Sequence, residues 1–228
     1  MTDVLPVAAE KTRVVEEMFD RIAPRYDLCN RILTFGMDIG WRKKAVASLA
    51  LPRGSRVLDI ACGTGDLCRD LERAGYQATG VDFSFGMLRA ARTTAPLVRG
   101  DALRLPFADA SLDGITSGFA LRNFAALEPF FAECARVLRP GARIALLDVA
   151  EPDDALRRAV HGFWFRRAVP FIGGIVSDRR AYAYLPASTA YLPSPTTLVA
   201  RLAANHFDAV TRVGLGFGAA QLLTGTRA

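Results

Sequence analysis

The spacing of hydrophobic and polar positions changes once along the chain, near residue 55. Before that point, apolar side chains such as Val15, Met18 and Ile22 recur every three or four positions, which indicates an amphipathic helix. Pro24 cannot continue that helix, because it lacks a backbone N–H, and Gly36 separates two shorter helical stretches. The pattern predicts helices over 7–23, 27–35 and 39–50, which together form a helical lid of residues 1–50.

After residue 55, short apolar runs typical of strands alternate with helical stretches. This alternation predicts an α/β, Rossmann-like fold, in which helices flank a mostly parallel seven-stranded sheet within a single domain of residues 1–228. Residues 155–184 are helical and aromatic in pattern, and we interpret them as an insertion. Strands are predicted over 56–60, 77–83, 95–101, 112–120, 142–150, 208–213 and 217–224, and helices over 66–74, 125–138 and 196–206, with one more capped by Ser84.

The composition is that of a globular enzyme. A chain of 228 residues that is 51% hydrophobic and 23% charged can bury the core of one domain. No apolar run approaches the roughly 20 residues that cross a bilayer, and the acidic N-terminus does not resemble a secretory signal, so a cytoplasmic location is expected. The net charge of +6 favours an anionic partner, but the basic residues form no aromatic-interleaved run, so nucleic acid is not expected.

The four cysteines do not indicate a metal site. Cys62 and Cys68 are six positions apart, which matches no common zinc spacing, and the chain has only two histidines. We expect four reduced structural thiols, at positions 29, 62, 68 and 134, and no bound metal.

The segment VLDIACGTGD, residues 57–66, is the strongest local motif. Gly63 and Gly65 let the backbone turn sharply after a strand, and the helix that follows directs its N-terminal amides towards a ligand. This arrangement alone does not identify the ligand, because dinucleotide sites use the same geometry.

Three nearby features favour S-adenosylmethionine over a dinucleotide. A dinucleotide fingerprint that starts at Gly63 needs glycine at position 68, where the chain has Cys68. Asp59 ends the first strand, where a carboxylate would repel a pyrophosphate but suits ammonium and sulfonium groups. Asp82 ends the second strand and can accept from both ribose hydroxyls, and Asp101 can bind an adenine amino group. The alternative is that Asp59 and Asp82 only cap helices or close turns.

Segments along nearly the whole chain resemble the ubiquinone/menaquinone-biosynthesis C-methyltransferase family, most of all its members that act on demethylmenaquinone. The most diagnostic are YDxxN at 26–30 with Trp41, and LRN at 121–123. The resemblance implies S-adenosylmethionine as cofactor, with contacts at Thr64, Asp82, Asp101, Ala102 and the family's serine position, here Gly118, besides Asp59, Gly63 and Gly65. The other matching segments are 19–44, 57–66, 100–107, 117–124, 136–152 and 182–195.

The resemblance also suggests catalytic residues. Arg122 and Asn123 fall beside the reacting centre, and Tyr26 lies on the lid over it, together with Asp27 and Asn30. The chain departs from the family at Cys29, Thr34, Asp38, Gly118, Ala142, Asp148 and Ala150. Asp38 replaces a typical histidine near the pocket mouth, which makes the substrate less certain than the fold and the cofactor.

The implied reaction is C-methylation of demethylmenaquinol to menaquinol. A hydroquinone hydroxyl has a pKa of about 10, and its deprotonation or polarisation drives electron density onto the neighbouring ring carbon. That carbon attacks the sulfonium methyl group in line, so much of the catalysis is alignment of two bound reactants. Arg122 would stabilise the developing phenolate, and Asn123 would orient the ring hydroxyl.

Alternatives stay open for single residues and for the substrate. The alternative role of Arg122 is a structural salt bridge, for instance with Asp113. The alternative role of Tyr26 is packing alone. His206 is interpreted as a structural residue at a helix C-terminus, whereas His161 in the insertion is a candidate pocket residue. The alternative substrate is another hydroxylated or prenylated aromatic, such as a ubiquinone precursor or a secondary metabolite. A nucleic-acid methyltransferase and a NAD-dependent reductase are less consistent with the motifs.

Residues 156–175 are predicted to receive the prenyl tail of a quinol and to contact the inner face of the membrane peripherally. Apolar side chains recur on one helical face, and four arginines between 157 and 167 have no acidic residue among them. The alternative is that this face packs on the domain. The pattern does not indicate an oligomeric state. The apolar positions are Val160, Trp164, Ala168, Phe171 and Ile175.

Overall fold

The fold is built on one seven-stranded sheet, in a computed structural model that describes residues 8–152, 154, 162, 184 and 187–228. The strands are β1 (Arg56–Ile60), β2 (Gln77–Asp82), β3 (Leu97–Arg99), β4 (Leu112–Gly118), β5 (Leu138–Val149), β6 (Phe207–Leu215) and β7 (Ala220–Arg227). They follow the order β3-β2-β1-β4-β5-β7-β6, and all pairs are parallel except those of β7 with β5 and β6. The predicted α/β class and Rossmann-like sheet are confirmed.

The helices of the described residues are α1 (Ala8–Ile22), α2 (Tyr26–Leu33), α3 (Met37–Ser48), α4 (Asp66–Ala74), α5 (Phe85–Ala90), α6 (Leu127–Val137) and α7 (Pro195–Ala204). α3, α4 and α5 pack on one face of the sheet, and α6 and α7 pack on the other. From β1 the sheet grows towards β2 on one side and towards β4 on the other. Ligands of open α/β sheets bind at such a switch point, outside the carboxyl ends of the strands.

The strands of the sheet centre are buried on both faces, as expected for parallel strands between helical layers. Leu58 and Ile60 of β1 belong to a core that contains Phe130 and Phe131 of α6. Val57, on the opposite face of the same strand, packs in a second core with side chains of α3 and α4. These two cores fix β1, and with it the position of the glycine turn that follows the strand.

Several predicted boundaries are wrong. The last strand spans Ala220–Arg227 and not 217–224, because Gly216–Gly218 form a short helical turn before it. The third strand spans only Leu97–Arg99 and not 95–101, because it is an edge strand that pairs with β2 alone and Pro96 has no N–H to donate. The fifth strand begins at Leu138, before the predicted Pro140–Gly141 turn, because Leu138 already pairs with Leu112 ahead of a register shift. His206 lies beyond the last helix, in a left-handed conformation with φ +65°.

The predicted N-terminal lid lies over the carboxyl edge of the sheet. The Asp20 carboxylate on α1 accepts hydrogen bonds from the Ser84 hydroxyl at 2.5 Å and from the Gly86 N–H at 2.8 Å. Ser84 also caps α5, as predicted, by accepting from the Met87 N–H. The lid is therefore joined to the loop that follows β2.

The insertion predicted over 155–184 lies outside the described residues, apart from Gly162 and Tyr184, and so does His161. Within the ranges that are described, no helix combines the length and the apolar character needed to cross a membrane.

Candidate functional site

A cavity opens at the switch point, between the carboxyl ends of β1, β2 and β4 and the lid helices α1 and α2. Val15, Glu16 and Phe19 of α1 line it from above. Among the residues predicted from sequence, all but Gly65 and Arg122 line this cavity: Tyr26, Asp59, Gly63, Thr64, Asp82, Asp101, Ala102, Gly118 and Asn123.

The glycine turn has the left-handed backbone that its sequence predicts. Gly63 has φ +54° and Gly65 has φ +83°, a region that side chains rarely adopt. A Cβ atom at Gly65 would lie 2.7 Å from Cγ2 of Thr93, so this glycine is also needed for close packing. Gly65 shapes the turn and the start of α4, whereas Gly63 and Thr64 face the cavity.

Asp82 lies at the end of β2 with its carboxylate fixed by two backbone donors. Oδ2 accepts from the Gly63 N–H at 2.8 Å, and Oδ1 accepts from the Ser84 N–H at 2.8 Å. Burial raises its pKa to about 6, against the effect of these hydrogen bonds. Each carboxylate oxygen has a second lone pair, so the carboxylate can still accept from two hydroxyls of a ligand.

Asp59 is a buried acid at the end of β1. Its Oδ1 accepts from the Thr116 hydroxyl at 2.9 Å, and Oδ2 accepts from the Cys68 thiol at 3.7 Å. Burial raises the pKa of Asp59 to about 7, although both hydrogen bonds oppose the shift. Cys68, at the position where a dinucleotide fingerprint has glycine, is thus a hydrogen-bond donor to the Asp59 carboxylate.

The remaining predicted cofactor positions lie at the ends of two other strands, with Asp101 and Ala102 after β3 and Gly118 at the end of β4. Asp101 is exposed, and its Oδ1 accepts from the Leu103 N–H at 2.9 Å in a tight turn. Gly118 ends β4, and a Cβ atom there would lie 2.9 Å from Cδ1 of Leu67. The space of the family's usual serine is therefore filled by Leu67.

Arg122 lies behind the cavity wall. Its side chain is 4% exposed, and Nη1 donates to Oδ1 of Asp148 at 2.5 Å and to the Phe119 carbonyl at 2.7 Å. Nε donates to the Ser188 hydroxyl at 3.1 Å. Arg122 thus forms a salt bridge with Asp148 and not with Asp113, the partner suggested from sequence. Its guanidinium holds Phe119, a cavity residue in a left-handed conformation with φ +59°.

Asn123 and Tyr26 face the cavity from opposite elements. Oδ1 of Asn123 accepts from the Tyr184 hydroxyl at 3.3 Å, which leaves the Asn123 amide N–H groups for other acceptors. Tyr26 is hydrogen-bonded with Asn30, and burial raises the pKa of its phenol. Together they offer a polar end to a cavity that is otherwise lined by several apolar side chains.

Sequence reasoning did not find the polar contacts that join the lid to the glycine turn. The Thr64 hydroxyl donates to Oδ1 of Asp27 on α2 at 2.5 Å. On α3, Asp38 is 1% exposed and lines the cavity rather than its mouth, where it forms a salt bridge with Arg42. Arg42 also contacts Asp66 at 3.2 Å and a further carboxylate of α4. Only the i,i+4 spacing of Asp38 and Arg42 was visible in the sequence.

Acidic side chains predominate among the charged residues that line the cavity. Among the described residues that line it, Arg42 is the one cation, and it is already paired with carboxylates. Such a surface suits a ligand with positive charge and disfavours a pyrophosphate. No group of three or more metal-ligating side chains occurs in the described part of the chain. The lining acids are Glu16, Asp27, Asp38, Asp59, Asp66, Asp82 and Asp101.

The sequence is similar to proteins of known family over nearly its whole length. Residues 7–227 match the model of the ubiE/COQ5 methyltransferase family. A demethylmenaquinone methyltransferase of Roseiflexus sp. (strain RS-1) is 44% identical, with 99% of this chain and 98% of the relative covered. The Thermus thermophilus protein of the same name is 43% identical over 92% of this chain and 100% of its own length. A ubiquinone/menaquinone biosynthesis C-methyltransferase of Geobacter sulfurreducens is 36% identical, covering 96% and 90%.

Solved structures share the fold at lower identity. An SAM-dependent methyltransferase from Thermotoga maritima superposes with a TM-score of 0.67 at 19% identity, over 93% of this chain and 99% of that one. Another, from Aquifex aeolicus, has a TM-score of 0.59 at 16% identity, over 82% and 89%. These two similarities concern the fold alone.

Proposed function

The chain belongs to the ubiE/COQ5 methyltransferase family, and from this premise we propose that it transfers the methyl group of S-adenosylmethionine to a ring carbon of demethylmenaquinol, giving menaquinol. The observation that carries the proposal is the row of carboxylates beside the glycine turn, in a cavity whose wall is the LRN segment. The alternative substrate is another hydroxylated or prenylated aromatic.

Carboxylates at the ends of successive strands are suited to hold the methyl donor. Asp82 would accept from the ribose hydroxyls with the lone pairs that its backbone donors leave. Asp59 would face the methionine end, where ammonium and sulfonium charges favour its ionised form. Asp101, followed by Ala102 after β3, would bind the adenine amino group, and Gly118 would lie near the donor at the end of β4. The bound donor supplies an electrophilic methyl group.

The cavity residues would align the acceptor and stabilise the charge that develops on its hydroxyl oxygen. The amide N–H groups of Asn123, which donate to none of the described residues, would orient a ring hydroxyl, and the phenol of Tyr26 would bound the ring on the lid side. Arg122 would act from behind, since its guanidinium is committed to Asp148 and Phe119. Its positive charge would stabilise a developing phenolate across the cavity wall, where little water screens the charge. Its hydrogen bonds would fix the backbone at Arg122 and thereby hold the next residue, Asn123, in place.

We propose that the tail of the quinol is received by residues 156–175 and that this segment brings the protein to the membrane surface from the cytoplasm. The support is the apolar stripe and the four arginines of the sequence. Co-sedimentation with liposomes tests this step. Binding should need anionic lipid and should fall when Arg166 and Arg167 are changed to Glu. Equal activity on tailed and tail-less quinols without liposome binding would refute it.

Quinone profiling tests the substrate in the cell. A strain that lacks the gene should accumulate demethylmenaquinone, and the wild-type gene should restore menaquinone where an Asp82→Ala gene does not. Accumulation of a different aromatic precursor would assign the alternative substrate instead.

A further inference from the structure

Lys11 on α1 is a buried cation outside the cavity lining. Only 5% of the surface of Lys11 is exposed to solvent. Nζ donates to the carbonyl oxygen of Phe124 at 2.8 Å and lies 3.8 Å from the centroid of the Tyr191 ring. Within the described ranges it forms no salt bridge with a carboxylate. The ammonium therefore joins three separate segments: α1, the end of the LRN segment and the turn Thr189–Tyr191.

An ammonium in this position is unfavourable unless its contacts compensate for lost hydration. Burial accordingly lowers the pKa of Lys11 to about 8. The carbonyl supplies a charge-assisted hydrogen bond, and the Tyr191 ring supplies a cation–π contact. Phe124 is itself rigidly held, because its ring stacks on buried Phe130 with centroids 4.2 Å apart. The contact thus fastens α1 to a fixed point of the core.

The two parts that this contact joins are both walls of the cavity. Val15 and Phe19, one and two turns further along α1, line the cavity, and so do Asn123 and Phe124. A displacement of α1 at Lys11 would therefore move Val15 and Phe19, the roof of the cavity, away from it. It would also release the carbonyl of Phe124, the residue after Asn123.

We propose that Lys11 is a positioning residue that fastens α1 over the cavity and holds the Asn123–Phe124 segment in place for methyl transfer, an inference that rests on the proposed function. Lys11, Phe124 and Tyr191 form the clasp. With the clasp intact, the roof retains the methyl donor and keeps water away from the aligned reactants. Without it, α1 opens more often, the donor dissociates faster and the acceptor is less well aligned.

Hydrogen exchange, donor binding and kinetics of matched variants test the clasp. Lys11→Met keeps the length of the side chain and removes the charge and the donor. We expect amide exchange along α1 to accelerate about tenfold and the dissociation constant of S-adenosylmethionine to rise by about the same factor. Turnover at saturating donor should also fall. Lys11→Arg, which keeps both charge and donor, should recover most of each property. Arg13→Met removes a cation of the same helix whose side chain is 66% exposed, and it should behave as wild type.

A second variant approaches the clasp from the other side. Tyr191→Leu removes the ring and should reproduce the effects of Lys11→Met, and the double variant should be little worse than either single one. If Lys11→Met lowers the unfolding temperature too far for assay, Tyr191→Leu and Lys11→Arg carry the comparison. Unchanged α1 exchange and donor affinity in a folded Lys11→Met protein would overturn the proposal, as would additive effects in the double variant. If the wild type methylates no quinol, the proposed function fails, while exchange and donor binding still decide the clasp.

Discussion

At the scale of single residues, the site depends on buried carboxyl groups that form no salt bridge within the described part of the chain. Asp59 and Asp82 each lie at the end of a strand, where the sheet fixes the backbone and the residues around the cavity limit the access of solvent. Their types and spacing were visible in the sequence. Their raised pKa values were not, because burial depends on the lid residues that pack above them.

Asp82→Ala should weaken the binding of S-adenosylmethionine about 5- to 150-fold, because two ribose hydroxyls lose their acceptor at a cost of about 1–3 kcal/mol. Calorimetry measures the change. Asp208→Ala removes an exposed carboxylate from β6, away from the cavity, and serves as the control. Unchanged affinity in folded Asp82→Ala, or tight NAD binding by the wild type, would contradict the cofactor assignment.

Donor binding should weaken as the pH falls. In the free protein the pKa is about 7 for Asp59 and about 6 for Asp82, both above the value of an unfolded aspartate. Protonation of these two acids therefore stabilises the folded protein at low pH, and this contribution is lost as the pH rises through 6–7. A cationic donor favours the ionised acids, so its binding below that range must release the protons that they carry. We expect the dissociation constant to rise about 25-fold from pH 7.5 to 5.5 if Asp59 alone ionises on binding, and about 100-fold if both acids do.

The measurement is calorimetry in two buffers of different ionisation enthalpy, which counts the released protons. Asp59→Asn should remove much of the pH dependence. A pH-independent affinity for the wild type would show that neither acid ionises on binding.

Arg122→Ala should destabilise the fold as well as lower turnover. Breaking a buried ion pair costs about 3–5 kcal/mol, which corresponds to a lower Tm by roughly 6–20 °C for a chain of this size. Donor affinity should change little in the folded protein. Arg139→Ala is the control, because its pair with Asp113 is much less buried, with side chains 43% and 18% exposed, and is worth about 1 kcal/mol or less. Thermal unfolding and steady-state kinetics decide. Normal turnover would leave Arg122 with a structural role only.

At the scale of elements, the lid is joined to the glycine turn by ion pairs between α3 and α4. Arg42 is almost fully buried between Asp38, Asp66 and Asp70. The sequence predicted each of these helices closely, and α4 and β1 to the residue, because their apolar periods and flanking glycines are local signals. The pairing between helices could not be predicted, because it joins residues 28 positions apart through the packed fold.

Arg42→Met should lower the free energy of unfolding by about 3 kcal/mol or more, since three carboxylates lose their shared cation. It should also weaken donor binding, because Asp38 and Asp66 line the cavity. Chemical denaturation measures the change in the free energy of unfolding. Lys43→Met is the control, because Lys43 is the next residue of the same helix and is exposed. A loss below about 0.5 kcal/mol would mean that the network contributes little to stability.

At the scale of the whole molecule, the sheet order brings every cofactor candidate except Gly65 to one cavity at the carboxyl edge of the sheet. The alternation of strands and helices predicted this architecture, and the carboxyl edge of the sheet followed from it. What local patterns could not predict were contacts across the fold, such as the ion pair of Arg122 with Asp148 or the approach of Lys11 to Phe124. Those contacts decide which residues face the cavity and which hold its walls.

The most direct test of the proposed function is methyl transfer by the purified protein from labelled S-adenosylmethionine to a tailed demethylmenaquinol in detergent. We predict labelled menaquinol as the product, and a slower reaction for Asp82→Ala at a donor concentration below saturation, in proportion to its weaker donor binding. Labelling of another aromatic in preference to the naphthoquinol would contradict the substrate, and an absence of transfer by protein that binds the donor would contradict the reaction.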